Sequence, residues 1–296
     1  MPMFLPPSLK HLELKWTPFS VWMDHAPFGY DIVAALKPKL LVELGTYRGM
    51  SYFAFCQSIR ENGLDTLCYA VDTWQGDDHV NLNNPYDPDA FSMVADHNTK
   101  YYKDFSYLLK MTFNDAVNLF GDETIDLVHI DGYHTYEAIS EDFNNWFPKV
   151  RPGGIFLLHD IRARIETSFG VWRFWEECSN QYESFAFNQA FGLGVIRKSG
   201  GGPVNDPLLE LLFSKDPAEK ENLRKLYAIA ARLHDAMRAK KCSVPPAHPQ
   251  VESESAMSEK EDDQDNDSQE DCHIDIPLSG KFLNLMAGTK RKIWKA

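Results

Sequence analysis

The stretch HIDGYHTYEAISEDFNNWFPKVRPGGIFLLHD, His129 to Asp160, decides the fold. Two apolar runs bracket it, Ile125–Ile130 and Gly154–Leu158. Both are short, rich in β-branched and aromatic residues and nearly continuous, the pattern of strands buried on both faces. Each leads into an acid, Asp131 after the first and Asp160 after the second. Between them lies one helix-length amphipathic segment that ends at Pro152-Gly153-Gly154. Strand, helix, strand is a βαβ unit, and its parallel pairing brings both strand ends to one edge of the sheet. Two carboxylates thus converge where open α/β sheets bind ligands. His134 follows the first acid by three residues.

Working upstream, Lys39–Leu44 reads as the first strand, after a short helix at Pro27–Lys37. It runs into Glu43-Leu44-Gly45-Thr46-Tyr47-Arg48-Gly49-Met50-Ser51 and an apolar helix. Strand, glycine-bearing turn, helix is the context in which such a motif acquires meaning. Glycines permit a tight turn and close backbone approach, and the helix start offers free N–H groups. The spacing E-x-G-x-x-x-G matches neither the dinucleotide nor the phosphate-loop pattern. An acid at the turn repels a pyrophosphate and suits a ligand bearing an ammonium or sulfonium. The second strand, Leu67–Asp72, also ends in an acid, where nucleoside-binding α/β folds hold a ribose diol. The stretch from Asp77 to Asp89 is long enough for a lid or substrate wall. Phe91–Lys103 reads as helix, Tyr107–Thr112 as a third strand, and Phe113-Asn114-Asp115 as its exit.

Downstream, Val171, Phe174, Trp175 and Cys178 recur at helical spacing as a core face, and Ser184–Asn188 and Leu193–Arg197 read as two final strands. The expected organisation is an N-terminal strap over 1–26, a doubly wound α/β domain over 27–198, a helical appendage over 203–241, a disordered acidic linker over 242–280 and a basic, apolar tail over 281–296. The segment 203–296 is the part offered to a second copy or a protein partner. The formal charge of −13 is concentrated, because Val251–Cys272 carries ten acids and one lysine. No basic stripe speaks for nucleic acid. Five scattered cysteines without a CxxC pair suit a reducing compartment and give no zinc site. The Pro-bearing start makes a poor signal peptide and no run approaches a membrane span, so a cytoplasmic protein without stable membrane insertion is expected.

VELGTYRGMS, AVDTW and the 129–160 stretch together resemble class I S-adenosylmethionine-dependent methyltransferases over about Pro27–Arg197. The likeness is greatest to the branch where macrolide sugar O-methyltransferases sit beside bacterial proteins linked to glycan biosynthesis, and the turn also resembles that of catechol O-methyltransferase. The resemblance implies a Rossmann-like seven-stranded sheet of order 3-2-1-4-5-7-6. It implies S-adenosyl-L-methionine contacts from Glu43, Gly45, Tyr47, Gly49, Ser51, Asp72, Thr73 and Asp131, with Asn114 and Asp115 beside the adenine. Asp131 and Asp160 match the carboxylates that hold Mg²⁺ or another divalent cation, and His134 falls at the general base. The implied acceptor is a hydroxyl on a saccharide or small molecule. Ile161 replaces the asparagine that supplies a third metal ligand in catechol O-methyltransferase, which leaves Asp77, Asp78, His159 or water for that place. Two other readings stand beside this one. His129, Asp131 and His159 spell a two-histidine, one-carboxylate set that suits a non-haem oxygenase, although His129, inside its strand, also reads as a satisfied core histidine. A catalytically degenerate methyltransferase fold acting as an interaction module is the other.

Overall fold

The structure, a computed structural model, describes residues 4–76, 87–165 and 167–242. Asp77, Asp78, most of the Asp77–Asp89 loop, the acidic linker beyond 242 and the 281–296 tail lie outside the described residues.

Seven strands form one sheet: β1 (Leu40–Leu44), β2 (Leu67–Asp72), β3 (Ser106–Lys110), β4 (Ile125–Ile130), β5 (Val150–His159), β6 (Glu183–Phe187) and β7 (Leu193–Arg197). The order is β3-β2-β1-β4-β5-β7-β6, as the resemblance implied. β7 pairs antiparallel with both β5 and β6, and the other pairings are parallel. The order reverses between β1 and β4, so the ends of β1, β2, β4 and β5 open onto the crevice where such sheets take ligands.

The longer helices among the described residues are α1 (Ala26–Leu36), α2 (Met50–Glu61), α3 (Ala90–Tyr101), α4 (Tyr136–Trp146), α5 (Val171–Gln181), α6 (Pro207–Leu212) and α7 (Pro217–Cys242). The period of two along each strand sends alternate residues to opposite faces. Leu41, Cys68, Ala70, Leu127, Ile155 and Leu157 enter a core with α1, α2, α6 and α7. Val42, Leu44, Val128, Ile130, Phe156 and Leu158 enter the other, with α4 and α5. Leu208, Leu212, Leu223 and Tyr227 of the last two helices belong to the first core, so these helices cover the sheet with an apolar face. Among the core positions predicted on α5, Val171, Phe174 and Cys178 are buried and Trp175 is half-buried.

Two local expectations are corrected. Pro152-Gly153-Gly154 does not terminate the preceding helix; it lies within β5, where the register against β4 shifts between Ile125 and Leu127. Gly153 there takes φ 78°, which an L-residue adopts only with strain. The third strand runs Ser106–Lys110, and Thr112 is instead the N-cap of a single helical turn, Phe113–Ala116, accepting from Asp115 N.

Candidate active site

The glycine turn after β1 is held from all sides. Gly45 stands at φ 88°, and a Cβ there would lie 2.0 Å from the carbonyl oxygen of Asp131. Only glycine lets the turn pass this close to the end of β4. Gly49 (φ 75°) is the N-cap of α2, and a Cβ there would press on the Phe53 ring at 2.9 Å. The Asp72 carboxylate accepts from Thr46 N (2.9 Å) and Tyr47 N (2.8 Å) through one oxygen and from Trp74 N (2.7 Å) through the other. Trp74 Nε1 donates to Tyr47 O at 2.8 Å, and Trp16 Nε1 to Arg48 O at 2.7 Å. Asp72 thus clamps the turn, and its charge is matched by backbone amides. Thr73 follows it and accepts from Gln75 N.

Glu43 is fully buried and sits in register with His129 on the neighbouring strand. His129 Nδ1 lies 2.8 Å from Glu43 Oε2, and Trp22 Nε1 donates to His129 Nε2 at 3.1 Å. Because Nε2 accepts, the proton sits on Nδ1 and is donated to Glu43. Burial pushes the Glu43 pKa up, against the opposing pull of His129 and the Ser51 hydroxyl.

The two strand-end acids meet as expected. One ligand atom each from Asp131, His134 and Asp160 lies within 4.8 Å of the others. His134 Nε2 is 2.9 Å from Asp160 Oδ2, and the His134 ring stacks on Phe169 at 4.8 Å with planes 4° apart. Gly170 N donates to His134 O at 2.8 Å, fixing the loop that carries the histidine. Asp160 itself is held at φ 60°, in the left-handed region.

His159 faces both carboxylates as a donor. Its Nδ1 donates to Asp131 Oδ1 (3.2 Å) and Asp160 Oδ2 (3.1 Å), and its Nε2 donates to the Ala190 carbonyl (3.1 Å). Both nitrogens facing acceptors makes the ring an imidazolium. Burial alone would lower its pKa, but the two carboxylates outweigh it and raise the value well above the ordinary range. The same charge, acting against burial, holds Asp131 and Asp160 below the usual carboxylate range. Behind His159 stands buried His25, ring centroids 5.7 Å apart, kept far down by its own burial and by the His159 charge.

The oxygenase set is not assembled. His129 has both nitrogens engaged with Glu43 and Trp22, while His159 points its protons at the carboxylates. His129 is instead a satisfied core histidine. Asn114 and Asp115 sit exposed at the β3 exit; Asn114 bonds Glu141 and Asn145, and Asp115 accepts from Thr112 Oγ1. The residues that sequence reading missed are Trp22, His25 and Trp74. Their signal was only an aromatic, His-bearing approach to the first strand and a Trp after Asp72.

Residues 42–161, from within β1 to just past Asp160, match the family described as "Methyltransferase domain". The match and the sheet order together make this segment similar to methyltransferase domains in sequence and in topology. A Sinorhizobium fredii protein, "Uncharacterized protein y4gI", is 44% identical over 179 residues, 60% of this chain and 19% of that protein. The chain therefore spans about a fifth of the length of that relative. Among solved structures, the O-methyltransferase TomG from Streptomyces achromogenes in complex with SAM is 14% identical, with TM-score 0.44, over 63% of this chain and 93% of that one. An O-methyltransferase from Bacillus cereus in complex with SAH is 13% identical, with TM-score 0.44, over 62% and 84%.

Proposed function

We propose that the chain transfers a methyl group from S-adenosylmethionine to a hydroxyl of a sugar, glycan or other small molecule, assisted by a divalent cation. The matched methyltransferase domain supports methyl transfer, and the observation that carries the chemistry is the convergence of Asp131, His134 and Asp160 on one edge of the sheet.

The residues fit both groups. The turn offers a glycine cradle, the start of α2, the Asp72 clamp and, in Glu43 Oε1, a buried carboxylate oxygen with no hydrogen-bond partner among the described residues. Among the described residues, the bonds from His159 and His134 engage one oxygen of Asp131 and one of Asp160. The remaining oxygens are hard donors of the kind Mg²⁺ takes, one or two carboxylates with water and substrate filling the shell. When bound, S-adenosylmethionine supplies an electrophilic methyl group, and the cation supplies charge that makes an acceptor hydroxyl easier to deprotonate.

The chain's own residues supply placement and a proton path. Asp131 and Asp160 would hold the cation, with His159 fixing both carboxylates from behind. His134 keeps a proton on Nε2, donates it to Asp160 Oδ2 and takes the acceptor's proton at Nδ1. Asp160 stabilises the imidazolium that results, and Phe169 fixes the ring plane. Positioning of this kind accounts for a large share of such a displacement.

Titration calorimetry with S-adenosylmethionine and S-adenosylhomocysteine tests the reading, and binding of neither overturns it. His134→Ala is expected to lower turnover by roughly 10²–10⁴-fold with cofactor affinity retained. Loss of Mn²⁺ binding in that variant instead makes His134 a metal ligand rather than the base. Turnover that is indifferent to chelator removes the metal from the proposal.

A further inference from the structure

The Glu43 carboxylate is buried among strands, yet only Oε2 has a partner at full hydrogen-bond distance; the Ser51 hydroxyl stands near the group without closing a bond to Oε1. Oε2 receives His129 Nδ1–H at 2.8 Å; Oε1 is buried and has no hydrogen-bond partner among the described residues. A buried carboxylate left half satisfied is costly, and such an atom in a native fold calls for a partner. Its surroundings say where the partner comes from. Glu43 opens the glycine turn, Ser51 of the first turn of α2 stands beside the carboxylate, and Asp131 adds a second negative charge nearby. The complement of that environment is a cation with N–H donors.

The orientation of the carboxylate is imposed from outside the 42–161 segment. Trp22 lies in a short 3-10 turn, Val21–His25, that packs under the sheet. Its indole is 1% exposed and donates to His129 Nε2 at 3.1 Å. That bond leaves His129 only one way to place its proton, on Nδ1 and toward Glu43. Without the indole N–H, the imidazole is free to adopt the other tautomer, which presents a lone pair to the carboxylate.

We propose that Trp22 and His129 are positioning residues for cofactor recognition, a hydrogen-bond chain that orients Glu43 so that Oε1 receives the ammonium group of the cofactor's amino-acid end. The inference rests on the S-adenosylmethionine reading above. It assigns to the N-terminal strap a part in ligand selection beyond its packing.

The test uses the full chain and two probes, S-adenosylhomocysteine and its desamino analogue, in which hydrogen replaces the amine. Calorimetry on the wild type is expected to favour the amine by on the order of tenfold or more, the value of a charge-assisted hydrogen bond. Trp22→Phe and His129→Leu should lose most of that preference while binding the desamino analogue as the wild type does. His129→Gln, which keeps an N–H for Glu43, should recover much of it. Undiminished preference in His129→Leu overturns the proposal, and so does a wild type that binds both probes equally. A wild type that binds neither probe fails the S-adenosylmethionine reading itself, a distinct result. Should the variants fold poorly, nitrogen-15 NMR of the wild-type histidines decides: a proton on His129 Nε2 overturns the chain of bonds.

Discussion

His159 places a positive charge inside an acidic site before any ligand arrives. One imidazolium is shared by half-buried Asp131 and buried Asp160, and is itself buried and anchored to the Ala190 carbonyl. Removing one partner of a buried ionic cluster leaves the others uncompensated and costs roughly 3–5 kcal/mol. His159→Leu should therefore lower stability by about that amount at neutral pH, read by urea denaturation. The same variant should gain more thermal stability from Mg²⁺ than the wild type does, because the added cation takes over the lost counter-charge. An equal Mg²⁺ effect in both proteins would mean that the cation does not sit at this pair. Asp160→Asn tests the pair from the other side, and it should weaken Mn²⁺ binding measured by calorimetry. Little of this was legible in the sequence. The acids announced themselves by ending apolar strands, and His134 by its offset from Asp131. His159 read equally well as a ligand, because protonation is decided by what both ring nitrogens face, and one of those partners is a carbonyl 31 residues away.

At the scale of the element, the glycine turn is a loop with its backbone already satisfied. Asp72 takes two of its amides, and Trp74 and Trp16 donate to two of its carbonyls. Strain collects nearby: Tyr47 (φ 45°), Trp74 (φ 50°), Asp160 (φ 60°), Ala190 (φ 46°) and Phe191 (φ 64°) all hold left-handed backbone. Such residues cost of order 1–3 kcal/mol each and persist where surrounding structure fixes them, often around functional sites. Gly45→Ala should be severe, because the new methyl meets the Asp131 carbonyl at 2.0 Å and also takes on the φ penalty. A loss of at least about 2 kcal/mol is expected, with cofactor affinity falling in the same protein, and calorimetry alongside thermal melting reads both. A Gly45→Ala protein with wild-type affinity would show that the turn does not need its approach to β4. The strands themselves and the two glycines were readable because each follows from local pattern, apolar runs, period and turn chemistry, whereas the order of the strands in the sheet came only with the family resemblance. The tryptophan caps were not, since Trp16 and Trp74 reach the turn through tertiary packing that no local spacing encodes. Proline and glycine inside β5 misled for a related reason, as a breaker pair within a strand reads as a stop unless the bulge is seen.

On the scale of the whole molecule, one buried carboxylate ties three distant segments together. Asp31 on α1 accepts from Ser8 N (2.9 Å), Ser8 Oγ (2.6 Å) and Tyr227 OH (3.0 Å). Ser8 belongs to the N-terminal strap and Tyr227 to α7, so the bonds tie the strap to α1 and, across 196 residues of sequence, α1 to α7. Burial raises the Asp31 pKa from 3.8 to about 6, against the opposing effect of those three donors. The sign follows from linkage. Below about pH 4 the group is protonated in both the folded and unfolded chain, and its full contribution to stability is present. As pH rises from about 4 to about 6, the unfolded chain ionises freely while the folded one resists, and stability falls. A shift of this size corresponds to roughly 3 kcal/mol lost across that window. Asp131 and Asp160, held low, act in the opposite direction at more acidic pH, so wild type must be compared with Asp31→Asn rather than read alone. The difference in unfolding free energy between the two proteins, measured in urea at half-unit steps from pH 4 to pH 7, should change steadily in favour of the asparagine variant and level off above about pH 6. A flat difference would mean that the strap, α1 and α7 are joined by hydrogen bonds whose strength does not depend on the charge of Asp31.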